Sequence, residues 1–220
     1  MGTLYLVRHG QASFGAANYD QLSPLGLQQS HQLGAFFQSK QLTFDAVLCG
    51  TLTRHVQTLA GIAQSLGDLP ATQALPSLNE YIPEAVIAAV HPGALPKPDT
   101  PEAYRLHFQL LRQGLMAWIE GRSQPQGMPA FSDFSSGIAK ALAHVQAHTQ
   151  GHVLLVSSGG PIATAVAQVL GCGAQATVDL NFQLRNSALT EMTFSARRIN
   201  LVTFNTLPHL QALPDHVTFA

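Results

Sequence analysis

Four short stretches of this sequence collect residue types suited to handling an oxyanion. Arg8-His9-Gly10 follows the apolar run Leu4-Tyr5-Leu6-Val7. Arg54 lies five residues beyond Cys49, in Gly50-Thr51-Leu52-Thr53-Arg54. Glu80 closes Ser77-Leu78-Asn79-Glu80, and Ser157-Ser158-Gly159-Gly160 follows a second apolar run, His152-Val153-Leu154-Leu155-Val156. An imidazole flanked by two guanidiniums makes physical sense when an anion joins them. Arg8 and Arg54 can each hold two oxygens of a phosphoryl group through parallel hydrogen bonds. Their charge also disfavours protonation of His9 and leaves a ring nitrogen free to attack. A backbone acceptor near Gly10 would fix the tautomer, and the missing side chain there permits close backbone approach. Glu80 is the candidate to give a proton to a leaving alcohol and then to activate water, with Glu84 as the nearby alternative. That role requires a raised pKa. Ser158 and the Gly159 amide are candidate donors to the anion, helped by a helix expected to start near Pro161.

These residues need elements that bring them together. Residues 3–8 read as a buried strand and residues 9–22, with Gly10, Gly15, Asn18 and Asp20, as a loop. Ser23-Pro24 signals a helix start, with Ser23 at the N-cap, and Leu25, Leu33, Phe36 and Phe37 form its apolar stripe to about residue 40. Residues 45–49 form a second strand, and Gly50-Thr51 leads into a helix that carries Arg54 on its first turn and runs to about Gly67. Residues 72–75 give a third strand. Prolines 83, 92, 96, 98, 101, 125 and 129 then punctuate a stretch with one helix at about 101–120. Residues 83–130 are therefore expected to be an insertion that caps the site. Ser132 is expected to cap a helix ending before Gly151, and residues 152–157 form the clearest strand of the chain. A Gly159-Gly160-Pro161 turn, an apolar helix to Leu170-Gly171 and two strands near 186–194 and 198–204 complete the order. Alternating strands and helices predict one α/β domain over residues 1–220, with a mainly parallel sheet sandwiched by helices. Sites in such sheets form beyond the carboxyl ends of the strands, where the polar residues above lie.

Composition narrows the function further. The 220 residues are 46% hydrophobic and only 10% charged, with a net charge of -1. No basic field is available for nucleic acid or anionic lipid, so positive charge must act locally. Cys49 and Cys172 stand far apart and outside any metal-binding pattern, which fits a reducing compartment and no disulfide. The start of the chain has no signal-peptide pattern and no apolar stretch is long enough to cross a bilayer. The expectation is a cytoplasmic protein with a small phosphorylated substrate or phosphate as its partner, and without a cofactor, metal, nucleic acid or membrane. His144 and His148 are one helical turn apart but have no evident third ligand. His31, His91, His107, His152, His209 and His216 read as structural, and Trp118 as the apolar face of the insertion's helix.

Taken together, these segments resemble the histidine phosphatase superfamily, also called phosphoglycerate mutase-like, over nearly the whole chain. The resemblance rests on Leu6-Val7-Arg8-His9-Gly10-Gln11, then Leu22-Ser23-Pro24-Leu25-Gly26-Leu27-Gln28-Gln29 and Leu52-Thr53-Arg54-His55-Val56-Gln57-Thr58. Leu78-Asn79-Glu80 and Ser157-Ser158-Gly159-Gly160-Pro161-Ile162 follow in the same order. It implies a phosphohistidine formed on His9 without metal and then hydrolysed, with Glu80 as acid–base. Arg8, Arg54, Ser158 and Gly159 would hold the phosphoryl group.

One position departs from the family pattern. The last motif usually reads Ser-His-Gly-Gly, and the second histidine is here Ser158. Loss of one transition-state donor typically costs roughly 3–4 kcal/mol. Full, weak and absent catalysis thus remain open, including a protein that binds phosphorylated ligands without turnover. His55, beside Arg54, is a substitute disfavoured by the angle of about 100° between adjacent helical residues. Ser158→His is expected to raise hydrolysis if the pocket keeps the family's geometry. A phosphoglycerate mutase is less well matched. Gln11-Ala12-Ser13-Phe14-Gly15 lacks the mutase extension, and the insertion offers only the scattered cations Lys97, Arg105, Arg112 and Arg122 for a substrate carboxylate.

Overall fold

The computed structural model describes residues 1–13, 20–96 and 99–219. Phe14, Gly15 and Asn18 of the expected loop, and Lys97 and Pro98 of the insertion, lie outside these residues. The sheet has six strands: β1 (Gly2–Arg8), β2 (Ala46–Cys49), β3 (Thr72–Ala74), β4 (Gly151–Ser157), β5 (Leu189–Phe194) and β6 (Ile199–Thr206). Their spatial order is β3-β2-β4-β1-β5-β6. The first four are parallel; β5 runs antiparallel to β1, and β6 antiparallel to β5. The antiparallel pair at one edge makes the sheet mixed, as the sequence reading allowed in expecting it only mainly parallel.

Strands β1 and β4 are apolar on both sides, which requires cover on both faces. Tyr5, Val7, Leu154 and Val156 pack with Leu33 and Phe37 of α1 (Pro24–Ser39) and Leu59 and Ile62 of α2 (Thr53–Leu66). Leu4, Leu6, Val153 and Leu155 alternate to the opposite face. There they meet Ile138, Leu142 and Val145 of α5 (Phe131–His148) and Ile162 and Val166 of α6 (Gly159–Leu170). The sandwich of helices is thus dictated by the period of two in the buried strands.

Within residues 83–130, where the sequence predicts one helix, the structure places two, α3 (Pro83–Ala88) and α4 (Pro101–Ile119), packed on each other. Helix α4 also rests on α5 and on α7 (Ala174–Gln183), to which Arg112 is ion-paired through Asp179. Trp118 is buried between the rings of Phe131 and Phe134, each 5.1 Å away, and donates its indole N–H to the Pro129 carbonyl. Helix α4 is therefore fixed to α5 through an aromatic core.

Three local expectations change. Helix α5 starts at Phe131 with Ala130 at its N-cap, so Ser132 lies in the first turn. Packing of Phe131 on Trp118 accounts for the early start. Helix α6 begins at Gly159, with Ser158 at the N-cap, so Gly159-Gly160-Pro161 is helix and not a preceding turn. Proline is tolerated there because first-turn amides have no intrahelical acceptor. Helix α7 has no counterpart in the sequence reading, since it buries only Thr177 and Val178 and carries little periodicity. Among the described residues, no helix is long and apolar enough to cross a membrane.

Candidate active site

Adjacent strands β2, β4 and β1 end at the same edge of the sheet, and α2 and α6 start there from opposite faces. His9 follows β1. Its amide donates to the Ser157 carbonyl of β4, and its carbonyl accepts from the Ser187 amide, so the backbone is held on both sides. The ring is buried. Nδ1 lies 2.7 Å from the Gly10 carbonyl, the backbone acceptor that the sequence suggested. A carbonyl can only accept, so Nδ1 carries the proton and Nε2 presents its lone pair. Gly10 also shows the expected close approach: a Cβ there would stand 2.4 Å from the Gly26 carbonyl oxygen.

Arg54 reaches this lone pair. Its Nε–H donates to His9 Nε2 at 3.2 Å, and its Nη1 donates to Asp20 at 2.8 Å. Asp20 also accepts from the Thr53 amide at 2.8 Å and thus caps the start of α2. Arg8 donates to the Leu184 carbonyl and lies beside Gly159 and Glu80. The two arginines are 5% and 7% exposed, so two cations and one imidazole share a nearly dry site. Burial holds His9 well below the ordinary imidazole pKa, and Arg8, Arg54 and His55 lower it further. The ring is therefore neutral at physiological pH.

Glu80 follows the short turn Pro76–Leu78, which is anchored by the Ser157 hydroxyl on the Leu78 carbonyl. Its Oε1 accepts from the Gly160 amide at 3.0 Å, within the first turn of α6. A Cβ on residue 160 would overlap this carboxylate, at 2.3 Å from Oε1, so glycine leaves it room. Burial raises the Glu80 pKa above the usual range, opposed by Arg8, Arg54 and the Gly160 and Tyr81 amides. Glu84, the alternative in the sequence, is exposed on the first turn of α3. The raised carboxyl of the arginine site is that of Glu80.

Ser158 and Gly159 form the start of α6, where a helix presents amides without intrahelical acceptors. The Ser158 side chain is fully buried and makes no capping bond. Its Oγ instead meets Nε2 of His55 at 2.6 Å. The ring of His55 stands 5.7 Å from that of His9, despite the angular separation of His55 from Arg54 along α2. The angle of about 100° between adjacent helical residues disfavours His55 on sequence grounds. In the fold the two side chains straddle the site from one helical turn.

A family model described as "Histidine phosphatase superfamily (branch 1)" matches residues 4–207. This chain belongs to the histidine phosphatase superfamily. A comparison with curated proteins finds no match. Among solved structures, a phosphoserine phosphatase from Entamoeba histolytica is similar at a TM-score of 0.66 and 21% identity, over 96% of this chain and 100% of that one. The α-ribazole phosphatase of Shigella flexneri gives 0.63 and 21%, over 93% and 96%. YhfR of Bacillus stearothermophilus gives 0.68 and 17%, over 96% and 100%. At these identities the likeness establishes the histidine phosphatase fold.

The structure brings all six candidate residues, Arg8, His9, Arg54, Glu80, Ser158 and Gly159, to one sheet edge. Several supporting residues escaped the sequence reading. Thr58 accepts from the Gly10 amide and donates back to the Arg54 carbonyl, tying the His9 loop to α2. Asn79 exchanges hydrogen bonds with Thr51, joining the Glu80 segment to the β2–α2 turn. Gln29 accepts from the Gln11 amide. Short polar side chains of this kind carry no spacing signal, because their partners are remote in sequence. Among the described residues, no group of three or more His, Cys, Asp or Glu side chains could hold a metal ion.

Proposed function

We propose that this chain is a phosphatase that hydrolyses a phosphomonoester through a phosphohistidine on His9. The observation that carries the reading is the state of the His9 ring. Nδ1 is tied to a carbonyl, and the Nε2 lone pair accepts from Arg54 Nε–H, a donor that turns to a phosphoryl oxygen once substrate is bound. Arg8, Arg54, the Ser158 hydroxyl and the Gly159 amide bind the phosphoryl oxygens. Nε2 attacks phosphorus as the ester P–O bond breaks, and protonated Glu80 gives its proton to the departing alcohol oxygen. The Glu80 carboxylate then takes a proton from water as that water attacks phosphorus. The P–N bond breaks, and phosphate and neutral His9 are restored. The substrate is a small phosphorylated molecule or a phosphorylated side chain, and residues 83–130 shape its fit by covering the outer side of the site. The protein acts in the cytoplasm.

Hydrolysis of p-nitrophenyl phosphate by wild type and His9→Ala tests this reading. Wild-type turnover that disappears in the variant is expected. Turnover that survives would overturn it. No turnover in either protein, with vanadate still raising the melting temperature, would identify a phospho-ligand-binding protein instead.

A further inference from the structure

The family pattern puts an imidazole at position 158, and this chain has Ser158. The structure nevertheless holds an imidazole, that of His55, directly against the Ser158 side chain. His55 and Ser158 are both fully buried, and their Nε2 and Oγ atoms are 2.6 Å apart. The ring fits only because residue 50 is glycine: a Cβ there would stand 2.1 Å from Nδ1 and 2.7 Å from Cε1. Gly50 after β2, His55 on α2 and Ser158 at the N-cap of α6 are thus sterically matched.

The same contact selects the tautomer of His55. Nδ1 faces the Cα of Gly50, and no other described atom serves it as a hydrogen-bond partner. A proton on Nδ1 would be buried against a C–H group, whereas a lone pair there loses less and can take a weak Cα–H contact. The proton therefore belongs on Nε2, from which it is donated to Ser158 Oγ. A hydroxyl that already accepts this bond has its own hydrogen left for another acceptor. Burial keeps His55 neutral, with its pKa near 3, so the ring holds the Nε2–H form without adding a third cation beside His9.

We propose that His55 and Ser158 act as a pair in place of the family's second histidine. His55 Nε2–H donates to Ser158 Oγ and turns the Ser158 hydrogen toward the phosphoryl oxygen. His55 is then a positioning residue, and Ser158 is the group that touches the substrate. No proton is transferred along the pair. The proposal rests on the phosphatase reading above. It also changes one expectation from sequence. Ser158→His alone sets two imidazoles in one space and should lower activity, whereas Ser158→His with His55→Ala moves the imidazole to position 158.

The test is a set of variants assayed with p-nitrophenyl phosphate, with folding monitored by circular dichroism and vanadate-induced thermal shift. S158A should lower kcat by about 10- to 100-fold, somewhat less than removal of a stronger oxyanion donor. H55A should lower kcat to a similar extent with little change in KM. H55A/S158A should be no slower than the slower single variant, because both changes remove one donated hydrogen. H55A/S158H should regain kcat relative to H55A. Multiplicative losses, or an unchanged kcat in H55A, would overturn the pair while leaving the phosphatase reading intact. Loss of His9-dependent turnover in wild type would instead sink that reading and the pair with it. Nitrogen-15 spectra of histidine-labelled wild type give a readout independent of any variant: an Nε2–H tautomer at His55 is expected, and an Nδ1–H tautomer overturns the proposal.

Discussion

His9 and Glu80 are shifted in opposite directions by the same dry pocket. Burial and the flanking guanidiniums hold the imidazole neutral, while burial keeps the carboxyl protonated to higher pH than usual. The first half of the proposed reaction needs both forms at once. Below the lowered pKa of His9 the nucleophile is lost to protonation, and above the raised pKa of Glu80 the acid is lost. For an alkyl phosphate, kcat/KM should therefore rise on the acid side and fall as pH passes the Glu80 value. Glu80→Gln should remove the falling limb and slow alkyl phosphate hydrolysis by about 100-fold or more. Its effect on p-nitrophenyl phosphate should be smaller, since that leaving group needs less protonation. A pH profile of the two proteins on both substrates checks this, and an unchanged falling limb in the variant would exclude Glu80 as the acid. At this scale the sequence was informative wherever chemistry forces a residue type. Arg8, His9 and Arg54 are hard to explain as ordinary surface groups once they meet. Asp20 and Thr58 are common in loops and helices, and only their contacts distinguish them.

The site depends on how α2 is held, because that helix carries both Arg54 and His55. Helices α1 and α2 approach closely through small residues. A Cβ on Gly34 would stand 2.3 Å from the Ile62 carbonyl oxygen, and one on Gly61 would stand 2.6 Å from Cβ of Ser30. Gly34→Leu should push α2 outward and destabilise the fold by about 1–3 kcal/mol, as overpacking commonly does. Because the shift moves Arg54 away from His9, kcat should fall in the fraction that remains folded, as read by urea melts and assays below the transition. A folded variant with wild-type kcat would show that the site tolerates the displacement. The elements themselves were largely readable. Six strands and the helices α1, α2, α4, α5 and α6 follow from apolar runs, Ser23-Pro24 and the proline-started segment at residue 101. What could not be read was packing between elements. It moved the start of α5 to Phe131 and hid α7, whose role is to support α4 through Asp179 and Val178.

Folding keeps three imidazoles uncharged, those of the buried His9 and His55 and of the half-buried His209. His55 and His209 are lowered to about 3 and about 4 by burial, and His9 is well lowered too. In the unfolded chain each would take a proton near pH 6.5. Between that pH and the folded values the unfolded state binds more protons, so acidification favours unfolding by about 1.4 kcal/mol per pH unit for each group. Glu80 works in the opposite sense, since its raised pKa lets the folded state take a proton first. Three groups against one predict that the urea midpoint falls steadily from pH 7 to pH 5. His209→Gln, which keeps a partner for the Ser187 hydroxyl, should flatten that slope, and an unaltered slope would show that His209 does not contribute. A different consequence follows from β1 lying between β4 and β5. Leu4 is paired with Val153 on one side and Met192 on the other, so both neighbours of this strand are made long after it. During translation the apolar segment Leu4–Val7 must wait unpaired, and closure of so long a loop carries an entropic cost that slows folding. The residue proposed as nucleophile thus leaves the ribosome well before either neighbour of its strand, which makes refolding yield sensitive to protein concentration and to chaperones that shield exposed strands.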